Sequence, residues 1–301
     1  MADYGHDLLF GAFLSPAADT VERTVTQARL AESLGLELIG IQDHLYHPGF
    51  LDALTLLTHL AARTETVTLF PDVAGLPLRG PVTLANFAAS LSVLSGGRAA
   101  LGLGSGAHPA GIASLGGPRR SPGEQVAALD EGVEVIRRLL GRDPGPTFDG
   151  RHYRLAGAAP ALERPLPGEI PLWLGGYGPR SLRLIGRKAD GWIPSSAYLP
   201  PWRLPAANAV IDEAARDAGR DPAEIRRLYN VDGAFRASGG GGFLDGPPEL
   251  WAAQLTELAL RDGVSAFVLA PGARPEEEIK IFAGDVAPAV REGVARARAT
   301  A

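Results

Sequence analysis

The sequence predicts an α/β protein, a (β/α)8 TIM barrel with insertions. Three observations predict it. Short apolar runs alternate with helix-patterned segments from end to end, as a parallel sheet requires. The alternation amounts to about eight strand–helix units, which argues for closure into a barrel. Reactive side chains and glycines follow directly after several apolar runs, at the strand ends where such barrels place their chemistry. The 301 residues, 46% of them hydrophobic, suit a single domain spanning 1–301, since one barrel uses about 250 residues or more. An open doubly wound sheet is the competing architecture.

The elements follow in order. Leu8 to Leu14 reads as the first strand. Asp19 is placed to cap a helix, with Glu22 completing a capping box and Gly35 ending it. Leu38 to Gln42 is the second strand, Asp52 to Ala62 a helix and Val67 to Phe70 the third strand. Pro81 opens the next helix and Ser95-Gly96-Gly97 stops it. Ala99 to Leu103 is the fourth strand, with no prompt helix expected after Gly106. Ser121-Pro122-Gly123-Glu124 supplies an N-cap, a first-position proline and an acidic third position. The helix that follows lines up Val126, Leu129, Val133, Ile136 and Leu140 on one face. Residues 141–169 break the rhythm, with a small hairpin at Phe148 to Leu155. The alternation resumes with strands at Leu172 to Leu174, Trp192-Ile193, Leu228 to Phe235 and Ala266 to Leu269. Helices fall at Pro179 to Lys188, Ala206 to Ala218, Pro248 to Leu260 and Pro275 to Val290.

Composition excludes several classes. The formal net charge of −5 does not suit non-specific binding to nucleic acid or an anionic membrane surface. The absence of cysteine removes disulfides, thiolate metal sites and cysteine nucleophiles. The start, Met1-Ala-Asp-Tyr-Gly-His-Asp7, lacks the pattern of a signal peptide, and no segment approaches the about 18 apolar residues of a membrane span. A soluble, cytoplasmic protein acting on a small molecule is the expectation, and a homodimer is left open.

Four segments carry the chemistry. Ile39-Gly-Ile-Gln-Asp43-His44 ends an apolar strand in a carboxylate beside an imidazole. A histidine there can move a proton near neutral pH, and the aspartate can orient a ligand. The bland alternative is a helix-capping aspartate and a surface histidine. Because neighbouring side chains on a strand point to opposite faces, the turn must begin at Asp43 for both to reach one pocket. Asp43, His44 and His47 do not share one face of an element, so no metal is expected. Phe70-Pro71-Asp72-Val73-Ala74-Gly75 sets a carboxylate between proline and glycine at the third strand's end. Leu101-Gly-Leu-Gly104-Ser105-Gly106-Ala-His108 is glycine-rich, which lets a ligand approach the backbone, and His108 could reach the same pocket as His44. Gly176-Tyr177-Gly178-Pro179-Arg180-Ser181 is a glycine turn running straight into a helix, the arrangement that receives phosphate on free N–H groups. Ser238 to Phe243 reads as a lid or a flexible loop.

Taken in order, Gln42-Asp43-His44, Leu76-Pro-Leu-Arg79-Gly-Pro81, Leu94-Ser-Gly-Gly-Arg98 leading to Gly102-Leu-Gly104, and Gly178-Pro179-Arg-Ser181 with Ala189-Asp190-Gly191 resemble the bacterial luciferase-like superfamily of flavin- and coenzyme F420-dependent oxidoreductases. The resemblance implies an isoalloxazine-type ring at the strand C-termini and hydride transfer between deazaflavin and a small organic substrate. It implies that His44 is the catalytic histidine of the F420 branch, with His108 a second candidate, and that Asp43 contacts the cofactor. It puts Asp72-Val73 where the family has a non-prolyl cis peptide against the ring. Gly104, Ser105 and Gly106, and Gly176, Tyr177, Gly178, Pro179, Arg180 and Ser181, are implied as further cofactor contacts. One departure stands out. The sugar-phosphate dehydrogenases of this branch carry a glutamate near Ala107, and here His108 is the nearest substitute. An FMN-dependent monooxygenase is the main alternative, and a non-catalytic flavin-binding protein a further one.

Overall fold

A computed structural model describes residues 3–141, 145–163 and 166–300. Met1 and Ala2 of the N-terminal segment, and residues 142–144 and 164–165 of the predicted 141–169 excursion, lie outside the described residues, as does residue 301. The barrel strands are β1 (Leu9–Leu14), β2 (Leu38–Ile41), β3 (Thr68–Pro71), β4 (Leu101–Gly104), β5 (Leu172–Leu174), β6 (Gly191–Trp192), β7 (Arg226–Val231) and β8 (Val264–Leu269). Each pairs in parallel with its sequence neighbours, and β1 pairs with β8. The ring closes between β3 and β4. There Leu69 bridges Ala99, and a two-residue continuation of the third strand, Ala74–Gly75, pairs with Leu103 and Gly104. The helices are α1 (Val21–Ser33), α2 (Ala53–Ala61), α3 (Pro81–Ser95), α4 (Pro122–Leu140), α5 (Pro179–Lys188), α6 (Leu204–Asp217), α7 (Pro248–Asp262) and α8, which runs from Pro275–Ile281 through a π turn at Phe282–Val286 into Ala287–Ala299. Among the described residues no helix is long and apolar enough to cross a membrane.

Two apolar layers result. The larger packs helices on the outer face of the sheet and includes Leu129, Val133 and Ile136 of α4, with Val126 and Leu140 partly buried at its margin. The smaller fills the barrel with Leu38, Phe70, Ala100, Trp173, Ile193, Leu228, Ala266 and Val268. Phe70 meets Trp173 edge to face, with ring centroids 4.9 Å apart. Predicted turn chemistry is realised at α4, where Ser121 and Glu124 form a reciprocal capping box, and at α2, where Asp52 accepts from the N–H of Thr55.

Several expectations are corrected. Asp19 does not cap α1; it lies inside a 3-10 turn, Ala18–Thr20, and the helix starts at Val21 without a side-chain cap. The seventh strand stops at Val231 instead of Phe235. Ala234–Phe235 pairs with Asp245–Gly246 instead, because the chain turns at Gly233, where a Cβ would lie 2.1 Å from the Leu244 carbonyl oxygen. The predicted lid segment lies between those pieces. Its ends are held to α7 by Phe235 stacked on Trp251 at 4.1 Å and by Leu244 N–H donating to Gln254 at 2.8 Å. A short helix, Pro109–Ser114, follows Gly106 promptly, contrary to expectation. The hairpin is present as Phe148–Asp149 against Arg154–Leu155.

Gly102 has no room for a side chain, since a Cβ would lie 2.1 Å from the Pro71 carbonyl oxygen. Gly102→Ala is therefore expected to force β3 and β4 apart at the closure and to destabilise the barrel by about 1–3 kcal/mol. Urea unfolding of both proteins checks this; an unchanged midpoint would show that the closure tolerates the extra atom.

Candidate functional site

The strand C-termini open onto a cleft whose floor is the third strand. The Asp72-Val73 peptide is cis, and it divides that strand into a part paired with β2 and a part paired with β4. The turn carries the Val73 side chain over the barrel, where it packs on three glycines. A Cβ would lie 2.8 Å from Val73 Cγ2 at Gly104, 3.2 Å from Val73 Cγ1 at Gly102 and 3.2 Å from Cγ2 at Gly175. Gly102 and Gly104 thus make space for the protein's own Pro71 and Val73, a different role from the close ligand approach read from the sequence. Gly106 serves the turn: its φ is 99°, and a Cβ would meet Ile112 at 2.6 Å. Ser105 follows Gly104 at the exit of β4 and is partly buried.

Asp43 and His44 leave β2 in different directions, as its end at Ile41 allows. The Asp43 side chain is only 2% exposed. Its carboxylate accepts from Arg79 Nε and Nη2, both at 2.7 Å, and from Gly75 N–H at 3.0 Å. Arg79 also donates to Asp52 Oδ2 at 2.5 Å. Asp43 is therefore held as a structural anchor, its Oδ2 accepting two hydrogen bonds and its Oδ1 one. The His44 imidazole is half-buried and makes no hydrogen bond among the described residues. Burial pulls its pKa below the usual histidine value, and Asp43 offsets part of that effect, so the ring is neutral at pH 7 and can accept a proton.

His108 shares this wall through Tyr46, which stacks on His44 at 5.1 Å and on His108 at 4.9 Å. However, His108 Nδ1 accepts from Gly111 N–H at 2.8 Å as the cap of Pro109–Ser114. Its second nitrogen alone remains for other chemistry. His47 stacks on Phe50 instead, and among the described residues no cluster of His, Asp or Glu is arranged to hold a metal ion.

Across the cleft, the turn after β5 leads into α5. Gly176 packs tightly on Ser181, and its carbonyl accepts from Trp192 Nε1 at 2.9 Å. Tyr177 is 41% exposed, and its hydroxyl accepts from Ser195 N–H at 3.3 Å. Gly178 is extended, with open space where a Cβ would point. Pro179 starts α5 without a side-chain cap, which leaves the N–H groups of Arg180 and Ser181 free by helix geometry. Arg180 is exposed, and a Cβ on Gly123 would lie 2.5 Å from its Nη1, so its guanidinium rests on the first turn of α4. Two helix N-termini and one guanidinium thus meet at a single edge of the mouth, an arrangement that favours an anion.

Sequence reasoning missed three participants. Arg79 stands in the sequence only as part of a motif. Tyr46 carried no signal apart from lying between two histidines in space. Asn230, 9% exposed at the end of β7, looked like an ordinary strand residue. Two cavities stand out. One of about 270 Å³ adjoins the mouth between Phe13, Ser15, Gln42, Ala270 and Gly272. The larger, about 1110 Å³, lies at the opposite end of the strands, where Arg137 and Asp190 in its wall pair with each other at 2.8 Å.

Arg79→Ala would leave Asp43 buried without its counter-charge. Such a loss is expected to destabilise the fold by about 3–5 kcal/mol, and Arg79→Lys should recover little of it, because a lysine cannot reproduce the forked pairing. Unfolding midpoints of the two variants check both statements.

The profile of the luciferase-like monooxygenase family matches residues 8–237. The chain is 31% identical over 218 residues to the 5,10-methylenetetrahydromethanopterin reductase of Methanolobus tindarius, covering 72% of this chain and 63% of that one. It is 30% identical over 208 residues to the F420-dependent glucose-6-phosphate dehydrogenase of Microbacterium testaceum, covering 67% and 61%. The matched regions thus take in less than two thirds of either relative. In fold, it is similar to the coenzyme F420-dependent tetrahydromethanopterin reductase from Methanopyrus kandleri, with a TM-score of 0.81, 22% identity, and coverage of 94% of this chain and 99% of that one. A profile match over most of the chain, taking in seven of the eight barrel strands, shows that this chain belongs to the luciferase-like monooxygenase family.

Proposed function

We propose that this protein is an F420-dependent oxidoreductase acting on a small organic substrate. The observation that carries the reading is the half-buried His44 ring, left without a hydrogen-bond partner among the described residues at the mouth opposite an anion-receiving helix terminus. The names of the relatives point the same way. The residues fit the cofactor on two counts. The open space at Gly178 with the free N–H groups of α5 and the guanidinium of Arg180 suits a phosphate, and the floor formed by Val73 offers a broad apolar support for a flat ring. Gly176 to Ser181 would hold the phosphate, while Asp72, Val73, Gly104, Ser105 and Gly106 would line the ring's side of the cleft. When bound, the deazaflavin supplies hydride chemistry.

The protein's own part is to hold and move a proton. His44, neutral at pH 7, would accept a proton from a substrate hydroxyl at either ring nitrogen, or return one after protonation, while Tyr46 fixes the plane of the imidazole by stacking. Asp43 acts at one remove: anchored by Arg79, it fixes the backbone from which His44 projects. His108 stands behind Tyr46 as a secondary candidate. The family's name keeps an FMN-dependent monooxygenase as the second reading.

Two expected outcomes test the proposal. Micromolar F420 should raise the melting temperature, and FMN should do so less, because a ligand that binds only the folded state stabilises it in proportion to its affinity; a larger shift with FMN, together with oxygen consumption, would select the monooxygenase. In the same preparation His44→Ala should keep its F420 affinity but lose turnover by about 10²–10⁴-fold, the usual worth of a positioned acid or base. Wild-type turnover in that variant would remove the proton-transfer role.

Gly178→Val is expected to fold normally, since the site is extended and open, yet to bind the phosphate-bearing cofactor more weakly, because its branched side chain stands where the anion approaches. Calorimetric titration of F420 into the folded variant measures this; undiminished affinity would move the phosphate elsewhere.

A further inference from the structure

The hairpin excursion between α4 and β5 takes no part in the chemistry above, yet its path is fixed by specific contacts. Near the end of α4, Arg138 donates to the Thr147 carbonyl at 2.7 Å and lies over the Phe148 ring, 5.5 Å from its centroid. About two turns earlier in the helix, the Glu131 carboxylate accepts from the N–H groups of Arg151, His152 and Tyr153 at 3.0, 2.7 and 3.0 Å. Charge-assisted bonds of this kind hold the hairpin tip firmly. In a barrel of this type the helices run opposite to the strands, so α4 begins at the mouth. The excursion therefore climbs along α4 toward the mouth.

Three guanidinium groups meet at the first turn of α4 as a result. Arg151 extends from the hairpin tip with its side chain 76% exposed, and its Nη2 lies 3.4 Å from Glu124 Oε1. Arg120, from the loop after β4, lies over the Tyr153 ring with its Cζ 5.8 Å from the centroid, a contact that holds a cation without neutralising it. Arg180, at the start of α5, rests on Gly123. Neither Arg120 nor Arg180 has a carboxylate partner among the described residues. Glu124 is the carboxylate within reach, and its Oε2 already accepts from the N–H and hydroxyl of Ser121 at 3.0 and 2.9 Å. That capping box also satisfies the helix end, so the attraction for an anion comes from the arginines. In a chain of formal charge −5, such a group of cations repels itself unless an anion joins it.

One phosphate does not account for all three. The turn from Gly176 to Ser181 already offers free N–H groups and Arg180, while Arg120 and Arg151 continue from Arg180 around the first turn of α4. Guanidinium groups pair with carboxylates as readily as with phosphates, so the arrangement fits a ligand whose negative charges continue past its phosphate. Coenzyme F420 has that chemistry, with glutamyl carboxylates beyond its phosphodiester, whereas FMN ends at its phosphate.

We propose that Arg120, Arg151 and Arg180, gathered at the first turn of α4 by the hairpin excursion, receive the carboxylate tail of the cofactor beyond its phosphate. The assignment rests on the F420 reading above and gives the excursion a part in cofactor binding.

Titration by deazaflavin fluorescence tests it with two ligands that share ring and phosphate: F420 with a long glutamyl tail, and the form without glutamates. The wild type should bind the long-tailed form about five- to twentyfold more tightly at low salt, as two exposed ion pairs would give. That preference should vanish near 1 M salt, where the screening length is about 3 Å. Arg120→Gln/Arg151→Gln should lose the preference at low salt while binding the tail-less form as the wild type does. Should the double variant fail to fold by circular dichroism, each single variant should lose part of the preference. Equal affinity of the wild type for both forms would overturn the tail assignment and leave the F420 reading intact, and so would a full preference in the folded variants. If neither form binds the wild type, the tail assignment and the F420 reading fall together.

Discussion

The guanidinium of Arg79 is the interaction on which the mouth of the barrel depends. It forks onto Asp43 at the exit of β2 and reaches Asp52 at the start of α2, while Gly75 N–H completes the shell around Asp43. One always-charged group thus ties together the second strand, the continuation of the third strand beyond the cis peptide, and the helix that Asp52 also caps. Pairs this deeply buried are stable only as a complete set, because each partner left alone would be a charge in a poorly solvated place. His44 takes its position from that clamp. With Asp43 turned inward and fully engaged, the next residue is directed toward the cleft, and its ring is left with stacking contacts instead of hydrogen bonds.

Glycines do two different jobs around this cleft. Gly102, Gly104 and Gly175 are required by packing, since the space a side chain would fill already holds Pro71 and Val73. Gly178 is the opposite case: its backbone is ordinary and the space beside it is empty. The first group shapes a support that projects Val73 over the barrel, and the second keeps an approach open to free N–H groups. A flat apolar surface on one side and an anion-receiving edge on the other make the cleft suited to a ligand that is a ring at one end and a phosphate at the other.

Charge is distributed in keeping with that division. The cation at the rim, Arg180, belongs to the anion edge. The interior offers the neutral His44, the aromatic faces of Tyr46 and Tyr177, and a carboxyl, Asp72, whose surroundings favour its protonated form. Proton movement in that interior falls to one imidazole, whose lowered pKa keeps it unprotonated and able to accept.

The alternation of strands and helices, the α4 capping box, the α5 boundaries and the position of the reactive strand ends were all legible in the sequence, because each rests on interactions between residues close along the chain. The ordered motifs likewise pointed to the family. What the sequence could not decide was where side chains separated by tens of residues would meet. Asp43 gave no sign in the sequence of its forked pairing with Arg79, 36 residues later. Gly102 and Gly104 gave no sign in the sequence that Val73 would pack on both. His108 looked like a second acid until the amide of Gly111 claimed its Nδ1. Local periodicity determines the elements; which polar atoms are left without a partner is decided by closure of the sheet, since burial and pairing are properties of the packed whole.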